Sequence, residues 1–332
     1  MQIQILRHDH TQTKKSTQNP CEKNTPTSPI KKHARRTYII LTTIALLTIS
    51  AVTVSCKYGV GEAFYRPNNV NERSKELTSL TLPETVTGSD VYQEKKYNFL
   101  IISDMHYGAD YNVPERKIFN WLDSFDATAA QQQKKPLFCL ILGDIVDNGN
   151  REDYAAFNTF QSKLERKGIP VYCIVGNHDL LNSGWNYWKY SCNPGTSFYK
   201  FQTNGISWYF TDTGSGTMGS EQLNALESAF SEDENRKLVF SHYPLYGGGI
   251  PMFAVGNEKE RARLINLYAK NNVKYVFEGH WHIGGSHDFG KFKEHVSQTL
   301  KSGKIYLVSM DETTTGDTNP VEKIEEIDLN SL

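Results

Sequence analysis

Five short apolar runs, at residues 98–103, 137–142, 170–175, 237–241 and 274–277, each stop in a segment of side chains that can hold a metal ion. The first run ends in Ser103-Asp104-Met105-His106 and the second in Gly143-Asp144-Ile145-Val146-Asp147-Asn148-Gly149. The third ends in Gly176-Asn177-His178-Asp179, the fourth in Ser241-His242 and the fifth in Gly279-His280-Trp281-His282. Runs this short, closed by turn residues, predict buried strands. Amphipathic stretches lie between them. Residues 114–128 set Ile118, Trp121, Leu122 and Phe125 on one helical face, and residues 152–167 do the same with Ala156, Phe157, Phe160 and Leu164 before Gly168. Residues 220–230 and 257–270 are the third and fourth such stretches. This alternation predicts an α/β domain. The segments 197–202 and 206–211 alternate aromatic and polar residues about Asn204-Gly205, which predicts a hairpin. With a late pair of strands at 304–309 and 321–329, the sheet is expected to be mixed.

In open α/β sheets, ligands bind at the carboxyl ends of the strands. Five strand ends would therefore deliver their polar residues to one rim. Seven histidines follow residue 36, and five of them sit in these segments. Carboxylate, imidazole and amide oxygen are hard-to-borderline ligands, and no cysteine accompanies them. Gly143, Gly176 and Gly279 stand just before the ligands, where a sharp turn or close backbone approach needs glycine. The 332 residues, 38% of them hydrophobic, suffice for the core of one large catalytic domain. The five cysteines form no C-x-x-C pair, so neither a disulfide framework nor a zinc ribbon is indicated.

Charge divides the chain. Residues 1–36 carry a net +6 and the remainder −7. An acidic body offers no electrostatic footprint for a nucleic acid as the main partner. Residues 1–36 are expected to form a disordered basic tail. Beyond Lys31, Lys32, Arg35 and Arg36, residues 37–56 carry no charge. As a helix this run would span about 30 Å, the thickness of the hydrocarbon layer. It ends in Thr53-Val54-Ser55-Cys56, similar to a loose bacterial lipobox with Cys56 as the lipidated residue. An uncleaved membrane anchor and a buried helix are the other readings of residues 37–56. The first two place the catalytic part in the cell envelope of a bacterium, outside the cytoplasm, with the basic tail inside. Residues 57–95 are expected to be a linker with room for one short strand, and residues 96–332 the catalytic domain.

The five blocks, D-x-H, GD-x-x-D, GNHD, a lone His and GH-x-H, stand in the order that resembles the signature of calcineurin-like metallophosphoesterases. The resemblance covers about residues 97–310. It implies a four-layer αββα sandwich. It implies one metal held by Asp104, His106, Asp144 and His282, and a second by Asp144, Asn177, His242 and His280, so that Asp144 bridges. It makes His178 the general acid and Asp147 the group that orients it. The cofactors it implies are two divalent ions, with manganese, iron or zinc suited to the ligands. The activity it implies is hydrolysis of a small phosphate mono- or diester by direct attack of a metal-bridging hydroxide. Two such ions clamp the entering and leaving oxygens at phosphorus, and an imidazole can protonate the departing alkoxide. The rival reading is a catalytically degenerate member that binds a ligand or partner.

Departures from subgroup patterns narrow the resemblance. Purple acid phosphatases carry tyrosine where this chain has Asp147. Protein Ser/Thr phosphatases follow the second aspartate with arginine and close the third block with glutamate, where this chain has Asn148 and Asp179. These differences point to a generic bacterial phosphoesterase. Asp179 is expected in a turn or N-cap, or in contact with a metal ligand. His287 and His295 are expected at the surface or rim, and Cys139 and Cys173 inside strands. The aromatic stretch 185–190 has two readings, packing or a stacking wall for the substrate. The glycine loop at 247–251 is expected to gate the site.

Overall fold

The computed structural model describes residues 69–332. The expected tail, the segment 37–56 and residues 57–68 of the expected linker lie outside the described residues. In chain order the strands are β1 (Thr78–Ser79), β2 (Lys96–Ile102), β3 (Pro136–Ile141), β4 (Val171–Cys173), β5 (Tyr199–Gln202) and β6 (Ile206–Phe210). They continue with β7 (Arg236–Phe240), β8 (Val273–Glu278), β9 (Gly285–Asp288), β10 (Lys293–Val296), β11 (Lys304–Asp311) and β12 (Val321–Asp328). The longer helices are α1 (Glu115–Asp123), α2 (Arg151–Arg166), α3 (Gly184–Ser191), α4 (Ser220–Ser231) and α5 (Glu258–Lys270).

The strands form two sheets. One has five strands in the order β12-β11-β2-β3-β4, and the other has seven in the order β1-β5-β6-β7-β8-β10-β9. Pairing is parallel across β2-β3-β4 and β6-β7-β8 and antiparallel in the hairpins, so both sheets are mixed. The period of two along each strand sorts its residues between layers. Phe99 and Ile101 of β2, Phe138 and Leu140 of β3, Trp208 and Phe210 of β6 and Phe240 of β7 enter one core shared by both sheets. Leu100, Cys139 and Ile141 turn the other way, onto Tyr154, Phe157, Phe160 and Leu164 of α2. Tyr209, Val239 and Val276 meet Leu226, Phe230 and Leu264 of α4 and α5. Three cores between four layers make an αββα sandwich. Stacked rings fill its centre: Trp208 on Phe240 at 5.5 Å and Phe240 on Phe277 at 5.3 Å.

Local chemistry sets the element ends. Gly168, at φ 76°, closes α2 in the left-handed turn that glycine favours. Asn257 caps α5 by accepting from the amides of Lys259 and Glu260 at 3.0 and 3.2 Å.

Part of the expected linker is folded. Residues 69–95 lie on the sandwich: β1 pairs in parallel with β5, Leu82 and Val86 enter the shared core, and Arg73 is buried against Asp212. Their polar, Thr-rich composition hides only a few anchoring side chains. The edge strand β9 and its inner neighbour β10 also escape a reading by alternation: β9 is largely exposed, and β10 buries only Glu294 and Val296, too short and polar a pattern to stand out. Among the described residues no helix is long and apolar enough to cross a membrane.

Trp208 lies fully buried where both sheets meet, its indole N–H donating to Thr203 Oγ1 at 2.9 Å. Trp208→Ala should lower unfolding stability by about 3–5 kcal/mol, read from denaturant melts. A loss below about 1 kcal/mol would mean that this core is not the one joining the sheets.

Candidate metal centre

The five strand ends converge, three from one sheet (β2, β3, β4) and two from the other (β7, β8), so the rim is the seam between facing sheets. The β2–β3 ladder runs on past the strands: Asp104 N donates to Gly143 O, His106 N to Asp144 O and Tyr107 N to Ile145 O, at 2.9–3.1 Å. The backbone then turns sharply. Asp104, His106, Asp144 and His280 all sit at positive φ, between 48° and 61°. Non-glycine residues held there carry strain of about 1–3 kcal/mol each, and such outliers gather at functional sites. The glycines beside them leave room for close approach. A Cβ on Gly176 would lie 2.2 Å from Asp144 N, and one on Gly279 2.2 Å from Ser103 Oγ.

Two donor sets share one carboxylate. Asp104, His106, Asp144 and His282 form one group, and Asp144, His242 and His280 a second, with donor atoms in each within 4.8 Å of one another. His106 Nε2 faces His282 Nε2 at 3.3 Å, and His282 Nε2 stands 3.3 Å from Asp104 Oδ1. Asp144 Oδ2 lies 3.9 Å from His106 Nε2 and 3.4 Å from His242 Nε2. Asn177 Oδ1 joins the second set, 3.2 Å from His242 Nε2. Two imidazole nitrogens aimed at each other beside carboxylates fit a cation between them. The oxygen and nitrogen donors, without sulfur, fit a divalent ion of intermediate hardness.

Neighbouring groups hold these ligands in place. His242 Nδ1 donates to Leu142 O at 2.7 Å, which leaves Nε2 for a metal. Ser103 donates to Asp104 Oδ2, His280 N to the same carboxylate and Thr299 Oγ1 to Asp104 O. Thr213 Oγ1 accepts from the amides of both His242 and Tyr243, and the Tyr243 ring stacks on His280 at 3.7 Å. Asp179 is fully buried and accepts from the amides of Ile145, Val146 and Gly176 at 2.8–3.1 Å. It ties the β3 end to the β4 end. It lies in the tight turn 178–180, as one sequence reading has it, and its carboxylate binds residues adjacent to the ligands, as the other does.

His178 and Asp147 also meet, though not as expected. His178 Nδ1 donates to the backbone oxygen of Asp147 at 2.7 Å, while the Asp147 carboxylate stands 3.9 Å away. That carboxylate lies nearer His106, 3.2 Å from Nδ1. The role expected of the Asp147 side chain therefore falls to its carbonyl, because the turn at 147–149 aims the peptide at the ring. His178 N donates to Asp144 Oδ1 at 2.8 Å, and its ring lies edge-on to that of His106 with centroids 4.7 Å apart.

Charge is finely opposed here. Burial alone would raise the Asp144 carboxyl, yet His242, His178 and His106 hold it well below the usual carboxylate range. Burial works against protonated His242, but the Asp144 carboxylate overrides it and lifts the ring to about 9. Burial and the adjacent His242 push His280 down to about 3. Burial and the Asp144 charge push Asp179 up to about 8.

Sequence reasoning passed over Thr213, Thr299 and the buried pair Glu278 and Glu294, whose carboxylates accept from Ser241 Oγ and from the amides of Leu245 and Tyr246. Single hydroxyls and acids within strands give no pattern to find. Trp188, fully buried in the α2 core and stacked with Trp185 at 5.3 Å, follows the packing reading of 185–190. Gly248, at φ 63°, leaves no room for a Cβ against the Trp281 ring, so the glycine loop rests beside the histidine pair. His287 stacks on Tyr246, and His295, half-buried, packs between Tyr306 and Phe277.

A family model described as Calcineurin-like phosphoesterase matches residues 97–284. A protein of Fibrobacter succinogenes named a probable cyclic nucleotide phosphodiesterase is 28% identical over 190 residues, covering 54% of this chain and 71% of the relative. A serine/threonine-protein phosphatase of Danio rerio is 28% identical over 185 residues, covering 47% of this chain and 58% of its own. Among solved structures, a dimetal phosphatase from Danio rerio has a similar fold, with TM-score 0.53 and 14% identity over 70% of this chain and 99% of that one.

The His242–Asp144 pair generates a pH prediction. A ring whose folded value is raised to about 9 stabilises the metal-free protein fully below its unfolded value near 6.5, and that stabilisation fades as pH rises through 9. A metal ligand must be neutral, so ion binding at pH 7 should expel about one proton from His242. Calorimetry in two buffers of different ionisation enthalpy reads this directly. Equal heats in both buffers would contradict it.

Proposed function

The chain belongs to the calcineurin-like phosphoesterase family, and from that premise we propose that it is a two-metal hydrolase of small phosphodiesters. That it is a metal-dependent phosphoester hydrolase follows from the family and from the phosphodiesterase and phosphatase relatives. The observation that carries the finer reading is the sharing of Asp144 between two donor sets, with His178 beside both.

Two divalent ions held by these sets, with manganese, iron and zinc as candidates, would supply Lewis-acid charge to the phosphate oxygens and acidify a bound water. Asp104, His106 and His282 fix one side of that centre, and Asn177, His242 and His280 the other. Asp144, common to both sets, would contribute to each side. His178 is the general acid: the Asp147 carbonyl occupies Nδ1–H, so Nε2 hands its proton to the departing alkoxide. Substrate charge favours a diester. Among the described residues, no lysine or arginine is hydrogen-bonded or ion-paired to any of these ligands, and Lys301 acts on His106 only through space, so the second negative charge of a monoester would meet little fixed positive charge. The Fibrobacter relative's name points to cyclic nucleotides as a first substrate class to assay.

On the manganese-loaded protein, bis-p-nitrophenyl phosphate should turn over faster than p-nitrophenyl phosphate. The reverse order would support a monoesterase, and no turnover of either a binding protein without activity. Asp144→Asn should abolish turnover and metal uptake. His178→Ala should keep both ions and lower kcat by about 10²–10⁴-fold for an alkoxide leaving group, but far less for p-nitrophenolate, which leaves without a proton. Equal losses on the two would remove His178 as the acid.

We also propose that residues 37–56 attach the chain to the bacterial envelope, with the catalytic domain outside the cytoplasm. The uncharged run behind a basic cluster supports this. If Cys56 is the lipid site, the mature chain should begin at Cys56 and carry an acyl mass, both lost in Cys56→Ala; if the run is an uncleaved anchor, residues 1–56 should remain and Cys56→Ala should change neither mass nor membrane binding. Full-length wild-type protein that stays soluble on fractionation would contradict both.

A further inference from the structure

Arg73 lies outside the stretch that the family model matches, yet it is bound to the centre of the molecule. It ends the one-turn helix Val70–Arg73, which Asn69 caps by accepting from Asn71 N at 2.8 Å. Its Nε and Nη2 grip both carboxylate oxygens of Asp212 at 2.9 and 3.0 Å, and Nη2 also donates to Ser215 Oγ at 3.0 Å. The side chains are 1% and 0% exposed. A buried ion pair of this kind adds little net stability over apolar packing of the same shape, and its strength lies in fixing geometry.

The geometry it fixes leads to the site. Asp212 follows β6 and precedes Thr213, whose hydroxyl accepts from His242 N at 3.0 Å and Tyr243 N at 2.8 Å. Tyr243 in turn covers His280 at 3.7 Å. Asp212 is tied further: its amide donates to Gln222 Oε1 at 2.7 Å, and Oδ1 accepts from Gly214 N at 3.1 Å. On its other side the Arg73 guanidinium lies 5.7 Å from the ring of Trp185, on the helix that follows Asn177 and His178. One guanidinium therefore meets both the loop after β6 and the helix α3 that follows the β4 end.

We propose that Arg73 is a positioning residue for the second metal: through Asp212 and Thr213 it sets His242 and His280, and against Trp185 it fixes their distance from Asn177 and His178. This rests on the reading of Asp144, Asn177, His242 and His280 as one ligand set. The N-terminal segment is thus part of the working site, and the catalytic unit begins before residue 96.

The test uses the full chain with manganese. Arg73→Met, Arg73→Lys and Thr213→Val are compared with wild type for the affinity of each ion by calorimetry, for kcat and KM on bis-p-nitrophenyl phosphate, and for melting temperature. Arg73→Met should weaken one ion of the two by about 10–100-fold and lower kcat with little change in KM. Arg73→Lys should recover part of the loss. Thr213→Val should reproduce the loss with the Arg73–Asp212 pair intact, and Arg73→Lys carries the comparison if Arg73→Met does not fold. Wild-type affinity for both ions in folded Arg73→Met or Thr213→Val would overturn the proposal, as would equal weakening of both ions alongside a lower melting temperature. A wild-type protein that binds fewer than two ions overturns it together with the proposed function, and that is seen before any variant is made.

Discussion

Three carboxylates, Asp104, Asp144 and Asp179, are buried to 1% exposure or less around one point at the seam of two sheets. Removing such charges from water costs several kcal/mol each unless opposite charge or hydrogen bonds answer them. Asp179 is answered by three backbone amides. Asp104 and Asp144 are answered mainly by histidines, whose ring protons a divalent cation could replace. The opposed shifts of His242 and His280 reflect this: one ring takes the proton that the carboxylates demand, and burial together with that ring's charge denies the neighbouring one another.

The fold makes this concentration possible. Aromatic stacking between the sheets holds β2, β3, β7 and β8 with their carboxyl ends level. Tight turns then follow, and four of the site residues adopt left-handed backbone. Each conformation is unfavourable alone. The continued ladder beneath Asp104 and Asp144, the amides gathered by Asp179 and the hydroxyl of Thr213 hold them there. A site supported from many directions keeps the donor atoms of each set close together through protein contacts alone.

Much of this was legible in the chain. Apolar runs located the core strands within one or two residues, because buried parallel strands need continuous apolar stretches. The residues that close those runs are the ones the structure brings together. Asp147 departs from its expected part through its own turn, which offers the ring a carbonyl rather than a carboxylate. Residues 69–95 look like a linker because Arg73, Leu82 and Val86 are isolated anchors in a polar segment, and isolated anchors have no period.

The sequence by itself determined which side chains end the strands, and hence the donor chemistry, because strand period and terminal residues are local properties. It also set the acidic body against the basic first 36 residues. Tertiary structure alone decided that the strand ends come from two facing sheets, that Asp144 stands between two donor sets and that Arg73 reaches a loop 139 residues away. Those facts depend on distances between segments remote in the chain, which only the packing of the shared core fixes.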